Sequence, residues 1–291
     1  MKRRDFIAAG LLLAASPASP AAARFERGLL WRVTRPGVAA SHVYGTIHVA
    51  DPRLAELPQQ VRRAFDGARS LMLEFLADPY SRERFLEAAM FLDQQTLEQK
   101  IGREDFERAV EVLKPIGLER EFVNKLKPWG VLINLRNPRG APGSPLDGQL
   151  LERARERRLP LHQIEGVEEQ IFTFDEFPME SQVVLLKHSL AYGDELVALS
   201  ERTLDAYLER DLSAIWRLQE EFVARHPQIA PHQAVLTKRV VLDRSVVMAF
   251  RMQRELRRGR AFVALGALHL YGRKGVLALL EEDGYRADRI Y

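Results

Sequence analysis

The sequence has no cysteine in 291 residues. That excludes disulfides, a thiolate nucleophile, a sulfur-ligated metal and a lipid-bearing cysteine, so any metal must be held by His and carboxylate. Tryptophan is scarce, and Trp31, Trp129 and Trp216 lie too far apart to make a stacking platform for bases. Charge of one sign is also in short supply: 43 Lys and Arg stand against 40 Asp and Glu. A nucleic-acid binder needs a concentrated basic surface, and none is expected here. The densest basic run, Arg251 to Arg260, has the spacing of a solvated helix face and C-terminus. No apolar run reaches the ~20 residues that span a bilayer. Serine-hydrolase elbows, His-Glu-x-x-His helices and phosphate-binding Walker loops are absent from the sequence as well.

What is present begins with Lys2-Arg3-Arg4-Asp5-Phe6-Ile7, then an apolar stretch from Ile7 to Ala15, then small residues and prolines to Ala23. Basic, apolar and small-residue zones in that order are the layout of a cleaved secretory signal. The arginine pair resembles a twin-arginine export signal. Residues 1–23 are therefore expected to be removed and the protein to be periplasmic, with no stable membrane insertion afterwards. Without those residues the balance is 40 basic to 39 acidic side chains, a net charge of +1. The remaining chain of about 268 residues can bury a sizeable core without disulfides.

Strand-like runs cluster at both ends of the chain. Gly28–Thr34 and Ser41–Ile47, joined by Arg35-Pro36-Gly37, read as a hairpin. A helix with Leu57, Val61, Ala64 and Phe65 on one face leads to a strand at Ser70–Phe75, which implies a parallel pairing of the strands on either side of it. Leu159–Ile164, Ala261–Gly266 and Tyr285–Ile290 are further strands, and Asn137–Pro145 is a loop by composition. These runs predict one α/β domain over residues 24–291. Its mixed central sheet is built from both chain ends, with helical insertions at about 79–145 and 166–258.

Two segments share one grammar: Gly45-Thr46-Ile47-His48 and Gly266-Ala267-Leu268-His269 each close an apolar strand. Glycine at a strand end admits close approach of backbone or ligand, and imidazole is both metal ligand and proton carrier. Glu74 and Glu165 also stand at strand ends. An isolated strand-end Glu is commonly a capping or loop carboxylate. Glu74, however, lies inside the apolar run Leu71–Leu76, where a buried carboxylate needs a partner. Ligands of open α/β sheets bind outside the carboxyl ends of the strands, where His48, Glu74, Glu165 and His269 would converge if those strands are parallel neighbours. Such a donor set suits Mn, Co, Zn or Fe as a divalent ion. His42, His162, His188, His226 and His232 lack this grammar and read as structural or exposed.

These motifs resemble the TraB/GumN family. The resemblance is carried by Val43 to His48, Leu73-Glu74, Leu146-Asp147, Ile164-Glu165 with Glu169-Gln170, and Val263 to Leu270 with Gly272, Gly275 and Gly284-Tyr285. That family is related to the Tiki metal-dependent proteases of animals and is distantly similar to erythromycin esterases and haem-binding ChaN-type proteins. The resemblance implies an α/β fold and a metal site of His48, His269 and Glu74. The family commonly carries an Arg-Asn pair in the long helix before the last motif. Here the place reads Asp243-Arg244-Ser245, so the amide is replaced by a hydroxyl.

The leading expectation is a periplasmic metal-dependent hydrolase acting on a peptide or small molecule. His48, His269 and Glu74 would hold the ion, Glu165 would be base or supporting partner, and Arg244 would bind substrate carboxylate or polarise an oxyanion. Two other classes stay open. One is a non-catalytic protein holding haem or a peptide in the same cleft. The other is an interaction module that docks through its long helices and leaves the paired motifs unexplained.

Overall fold

The computed structural model describes residues 24–76, 78–136 and 144–291. The expected leader and most of the Asn137–Pro145 loop lie outside the described residues. Six strands form one sheet: β1 (Leu30–Arg35), β2 (Val38–Thr46), β3 (Ser70–Leu73), β4 (Leu161–Gln163), β5 (Ala261–Gly266) and β6 (Arg286–Arg289), in the spatial order β4-β3-β5-β2-β1-β6. The four strands β4, β3, β5 and β2 are parallel, while β1 runs antiparallel to β2 and β6 antiparallel to β1. The fold is thus mixed α/β, with a sheet fed from both chain ends.

Local chemistry explains the strand ends. Pro36-Gly37 turns the β1–β2 hairpin, with Gly37 at φ +75°, which glycine adopts without steric cost. β5, Ala-Phe-Val-Ala-Leu-Gly, is buried along almost its whole length, as a strand covered on both faces should be. It is this strand that corrects the sequence reading. β2 and β3 do run parallel, but they are not neighbours, because β5 lies between them and pairs with both. The segment between β2 and β3 is long enough to skip one strand, and the most apolar strand takes the centre.

The helices, in chain order, are α1 (Gln59–Asp66), α2 (Pro79–Ala88), α3 (Leu97–Ile101), α4 (Arg103–Leu113), α5 (Arg120–Lys125), α6 (Pro128–Arg136) and α7 (Leu146–Glu156). After β4 come α8 (Val167–Asp175), α9 (Met179–Ala191), α10 (Gly193–Leu208), α11 (Leu212–Arg225), α12 (Ala230–Thr237), α13 (Arg244–Arg258) and, after β5, α14 (Val276–Glu282). α1 buries Val61 and Phe65, one turn apart. Phe65 meets Phe262 of β5 edge-to-face at 5.4 Å, and Tyr44 of β2 lies 6.2 Å from the same ring. Truncating Phe262 to alanine in this fully packed place would cost about 3–5 kcal/mol. α13 buries Met248, Met252 and Leu256 at successive turns against β2 and β5. A six-residue π-helix, Lys238–Asp243, sits between α12 and α13, and such segments often mark functional sites. Among the described residues, no helix is long and apolar enough to cross a membrane.

Candidate functional site

Because β2, β5, β3 and β4 are parallel and in register, their carboxyl ends reach one edge together. Thr46 pairs with Gly266, and Leu73 pairs with both Ala264 and Gln163. Beyond β3 and β4 the ladder continues, with the Ile164 N–H donating to Leu73 O and the Glu165 N–H to Glu74 O, both at 2.9 Å. This register delivers His48, Glu74, Glu165 and His269 to the same edge. Arg244 joins them from the first residue of α13.

Gly266 is the centre. A Cβ built there would stand 3.2 Å from Glu74 Oε1, 3.5 Å from His269 Cδ2 and 3.8 Å from His48 Nε2. The missing side chain leaves the space that the two imidazoles and the carboxylate face. The two Gly-x-x-His glycines therefore do different things. A Cβ at Gly45 would come within 2.7 Å of Leu270 Cδ1 and 3.2 Å of Ala267 Cα, so that glycine serves packing between the two motifs.

Each imidazole is held by its Nδ1. His48 Nδ1 lies 3.0 Å from Asp147 Oδ2 at the start of α7. This is an ion-pair contact rather than an aligned hydrogen bond, and Oδ2 has no other partner. The second oxygen, Oδ1, accepts from Thr46 Oγ1 at 3.0 Å, which ties Asp147 to the end of β2. His269 Nδ1 lies 2.9 Å from Ser245 Oγ, whose own hydrogen goes to Val241 O at 2.7 Å. A hydroxyl has one hydrogen to give, so His269 Nδ1 carries the proton and Nε2 keeps its lone pair. Nε2 is 3.8 Å from Glu74 Oε1.

Arg244 binds the two carboxylates together. Its Nη2 donates to Glu74 Oε2 and to Glu165 Oε2, each at 2.7 Å, and its Nε donates to Glu165 at 2.9 Å. Nη1 donates to Val240 O in the π-helix at 3.2 Å. At most one of its five hydrogens is left for anything else, and the side chain is 11 % exposed. Arg244 is thus committed to Glu74 and Glu165 as their counter-charge. Glu165 also accepts from Gln170 Nε2 at 2.7 Å. Removing one member of such a buried set strands a charge, at a cost of about 3–5 kcal/mol.

The electrostatics divide the two histidines. Burial lowers His269 to about 4, against the pull of Glu74, so the ring is neutral near pH 7. For His48, burial pulls down, but contact with Asp147 and the charges of Asp147 and Glu74 outweigh it and lift the imidazole to about 9. Its side chain is 59 % exposed, so water screens part of that attraction, and the direction is upward. For Glu74, burial alone would raise the carboxyl. Its neighbours His269, Arg244 and His48 and the Gly266 N–H bring it down to about 2. Since His269 is itself neutral near pH 7, Arg244 is the lasting partner.

Sequence reasoning did not assign roles to Asp147 and Ser245. Asp147 appeared only inside a helix-opening motif, and Ser245 only as a departure from Asn. Neither lies near its histidine in sequence: 99 positions separate His48 from Asp147, and 24 separate Ser245 from His269. Arg244 is the first residue of the long helix before the last motif, and its guanidinium faces the protein's own carboxylates rather than an open substrate position. A surface cleft of about 400 Å³, lined by Asp51, Ala55, Ser144 and Gln149 among others, contains none of the convergent groups.

A family model described as the TraB/PrgY/gumN family matches residues 29–289. The chain belongs to that family. A protein of Shigella flexneri named "uncharacterized protein YbaP" is 25 % identical over 256 residues, covering 82 % of this chain and 87 % of its own length. The protein of the same name in Escherichia coli K12 is 24 % identical over the same extent. No solved structure matches the chain significantly. The TraB-family match spans every strand of the sheet, from β1 to β6, and so includes both histidine motifs.

Proposed function

We propose that this TraB-family protein is a metal-dependent hydrolase acting on a peptide or small molecule after export to the periplasm. The observation that carries the reading is the cradle at Gly266, onto which His48 Nε2, Glu74 Oε1 and the His269 ring converge within 4 Å of one point. With both Nδ1 atoms engaged, His269 offers its Nε2 lone pair near pH 7, and His48 would offer its own on giving up its proton to an incoming ion, the arrangement that supporting partners impose on metal-ligating histidines. The donor set fits a divalent ion. Among the described residues, no three His, Asp or Glu side chains stand at distances that would hold an ion as placed, so binding would require these side chains to rearrange.

Charge supports the same reading. The formal charges of Glu74, Glu165 and Asp147 sum to −3 and Arg244 returns +1. A divalent ion would bring the site to neutrality, and the proton that His48 holds tightly stands in for part of that charge. When bound, such an ion lowers the pKa of its water to ~7 and polarises a carbonyl. The chain's own residues supply the rest. Asp147 fixes the His48 ring, Ser245 fixes the His269 tautomer, and Arg244 aims both glutamates and helps to keep Glu74 ionised. Gly266 leaves room for the reacting group, and the exposed edge of His48 gives substrate its way in.

A second reading rests on the His48–Asp147 pair. A carboxylate on Nδ1 with Nε2 facing an open space is the arrangement of a general base, which would activate water without a metal in the fraction of His48 that has lost its proton, a fraction that grows toward pH 9. Metal content of the wild type, His48→Ala and His269→Ala separates the two readings. The metal reading expects near one equivalent, lost in both variants, and turnover of a peptide or ester library that stops in chelator. Turnover indifferent to chelator favours the metal-free base.

A further inference from the structure

At the edge of the sheet opposite His48 and His269, where the parallel strands begin, stands a row of arginines. Arg69 directly precedes β3 and Arg260 directly precedes β5, and the Arg69 N–H donates to Arg260 O at 2.8 Å. Arg158 lies three residues before Leu161 of β4, β1 ends on Arg35, and β6 starts on Arg286. Every strand except β2 thus carries an arginine at this rim. With neighbouring strands ~4.8 Å apart, the row extends over about 24 Å. Helix ends widen it: Arg157, just past α7, donates to the Phe65 and Asp66 carbonyls, and the Arg258 carbonyl accepts from Arg69 Nη1.

The charge is neutralised only in part. Arg157, Arg258 and Arg286 pair with Asp66, Glu255 and Asp288, whereas among the described residues Arg35, Arg69, Arg158 and Arg260 are exposed and form no ion pair with a carboxylate. Residues 24–291 carry a net charge of only +1, so four unpaired guanidinium groups along one edge are an uneven distribution of charge, although Asp66 and Asp288 share that edge. The opposite edge holds Glu74, Glu165 and Asp147. Two rim arginines also sit where glycine would be easier, Arg158 at φ +54° and Arg260 at φ +57°. A side chain in the left-handed region costs roughly 1–2 kcal/mol, a cost that Arg210, away from the rim, also carries at φ +60°.

We propose that this arginine rim docks the protein on an anionic phospholipid surface, with the His48–His269 edge turned to solution. The patch spreads in two directions and offers no exposed aromatic among its named residues, which disfavours a single nucleic-acid strand. A bilayer needs no coplanar contact, because any charge within a Debye length, ~8–10 Å, contributes.

The test is co-sedimentation of the full chain with vesicles of phosphatidylcholine alone and with 30 % phosphatidylglycerol, at low and high salt. We expect binding to the anionic vesicles only, abolished by high salt. The variant Arg69→Gln/Arg158→Gly/Arg260→Gly should bind about 100-fold more weakly, at about fivefold per guanidinium. Its melting temperature should be unchanged or raised, since two substitutions relieve positive φ. Three outcomes would overturn the proposal. One is equal binding to neutral vesicles, which points to an apolar segment such as Ile7–Ala15. Another is wild-type binding by the triple variant. The third is no binding to either vesicle while heparin or single-stranded DNA binds.

Discussion

Ser245 Oγ lies 2.9 Å from His269 Nδ1 and passes its own hydrogen to Val241 O, so one buried hydroxyl decides which nitrogen of His269 faces Glu74. Ser245 is 1 % exposed. Ser245→Ala would leave the Nδ1–H without its hydroxyl acceptor, at a cost of about 1–3 kcal/mol. A metal held by His269 should bind about 10–100-fold more weakly. Denaturant melts and metal titration of the same variant check both numbers.

Asp147 holds the other ring. Asp147→Asn keeps the shape but removes the charge that raises His48. The His48 imidazole should then titrate at lower pH, toward or below the ordinary 6.5. Proton NMR titration of the ring resonances measures this directly, and an unchanged midpoint contradicts the pairing.

Gly266 offers a folded variant with a filled site. Its backbone, φ −54° and ψ 135°, suits any residue, so Gly266→Ala should fold with a stability change near 1 kcal/mol or less. The added methyl would meet Glu74 Oε1 at 3.2 Å and occupy the cradle, so metal or ligand binding should fall sharply. Gly45→Ala should do the reverse. It overpacks against Leu270 and Ala267 and should cost about 1–3 kcal/mol in stability.

Much of this site was legible in the sequence. Gly-x-x-His at two strand ends and a glutamate inside an apolar run are local patterns, and parallel strands in register bring them together. What was not legible lies in long-range pairing. Nothing near Ala261–Gly266 says that this strand enters between β2 and β3, because the choice depends on burial of the whole sheet. Likewise, the sequence leads one to expect Arg244 on a substrate carboxylate or an oxyanion, and only packing of the π-helix against the strand ends turns it onto Glu74 and Glu165. The arginine rim is spread over five separate segments, and only Arg258 and Arg260 of it fall within the basic run at Arg251–Arg260, whose start, Arg251, lies at the opposite edge.

Stability of the metal-free protein should depend on pH on both sides of neutrality. His269 titrates near 4 when folded and 6.5 when unfolded, so the unfolded chain binds the extra proton between those values. Stability should therefore fall as pH drops from about 6.5 to 4, by up to about 3 kcal/mol. Glu74, held near 2 against 4.5, adds a loss below about pH 4.5. His48 works the other way: its contribution is complete below 6.5 and is lost as pH rises through about 9. Melting temperature in chelator should peak near pH 6.5, and His48→Asn should flatten the alkaline limb alone.

The most direct measurement is the metal content of the purified protein, for wild type, His48→Ala, His269→Ala and Gly266→Ala, together with the shift in melting temperature on adding Mn, Co, Zn or Fe. A single site at Gly266 predicts about one equivalent and a metal-dependent rise in the wild type, and neither in the three variants. Equal metal content and equal thermal shifts across all four proteins would contradict it.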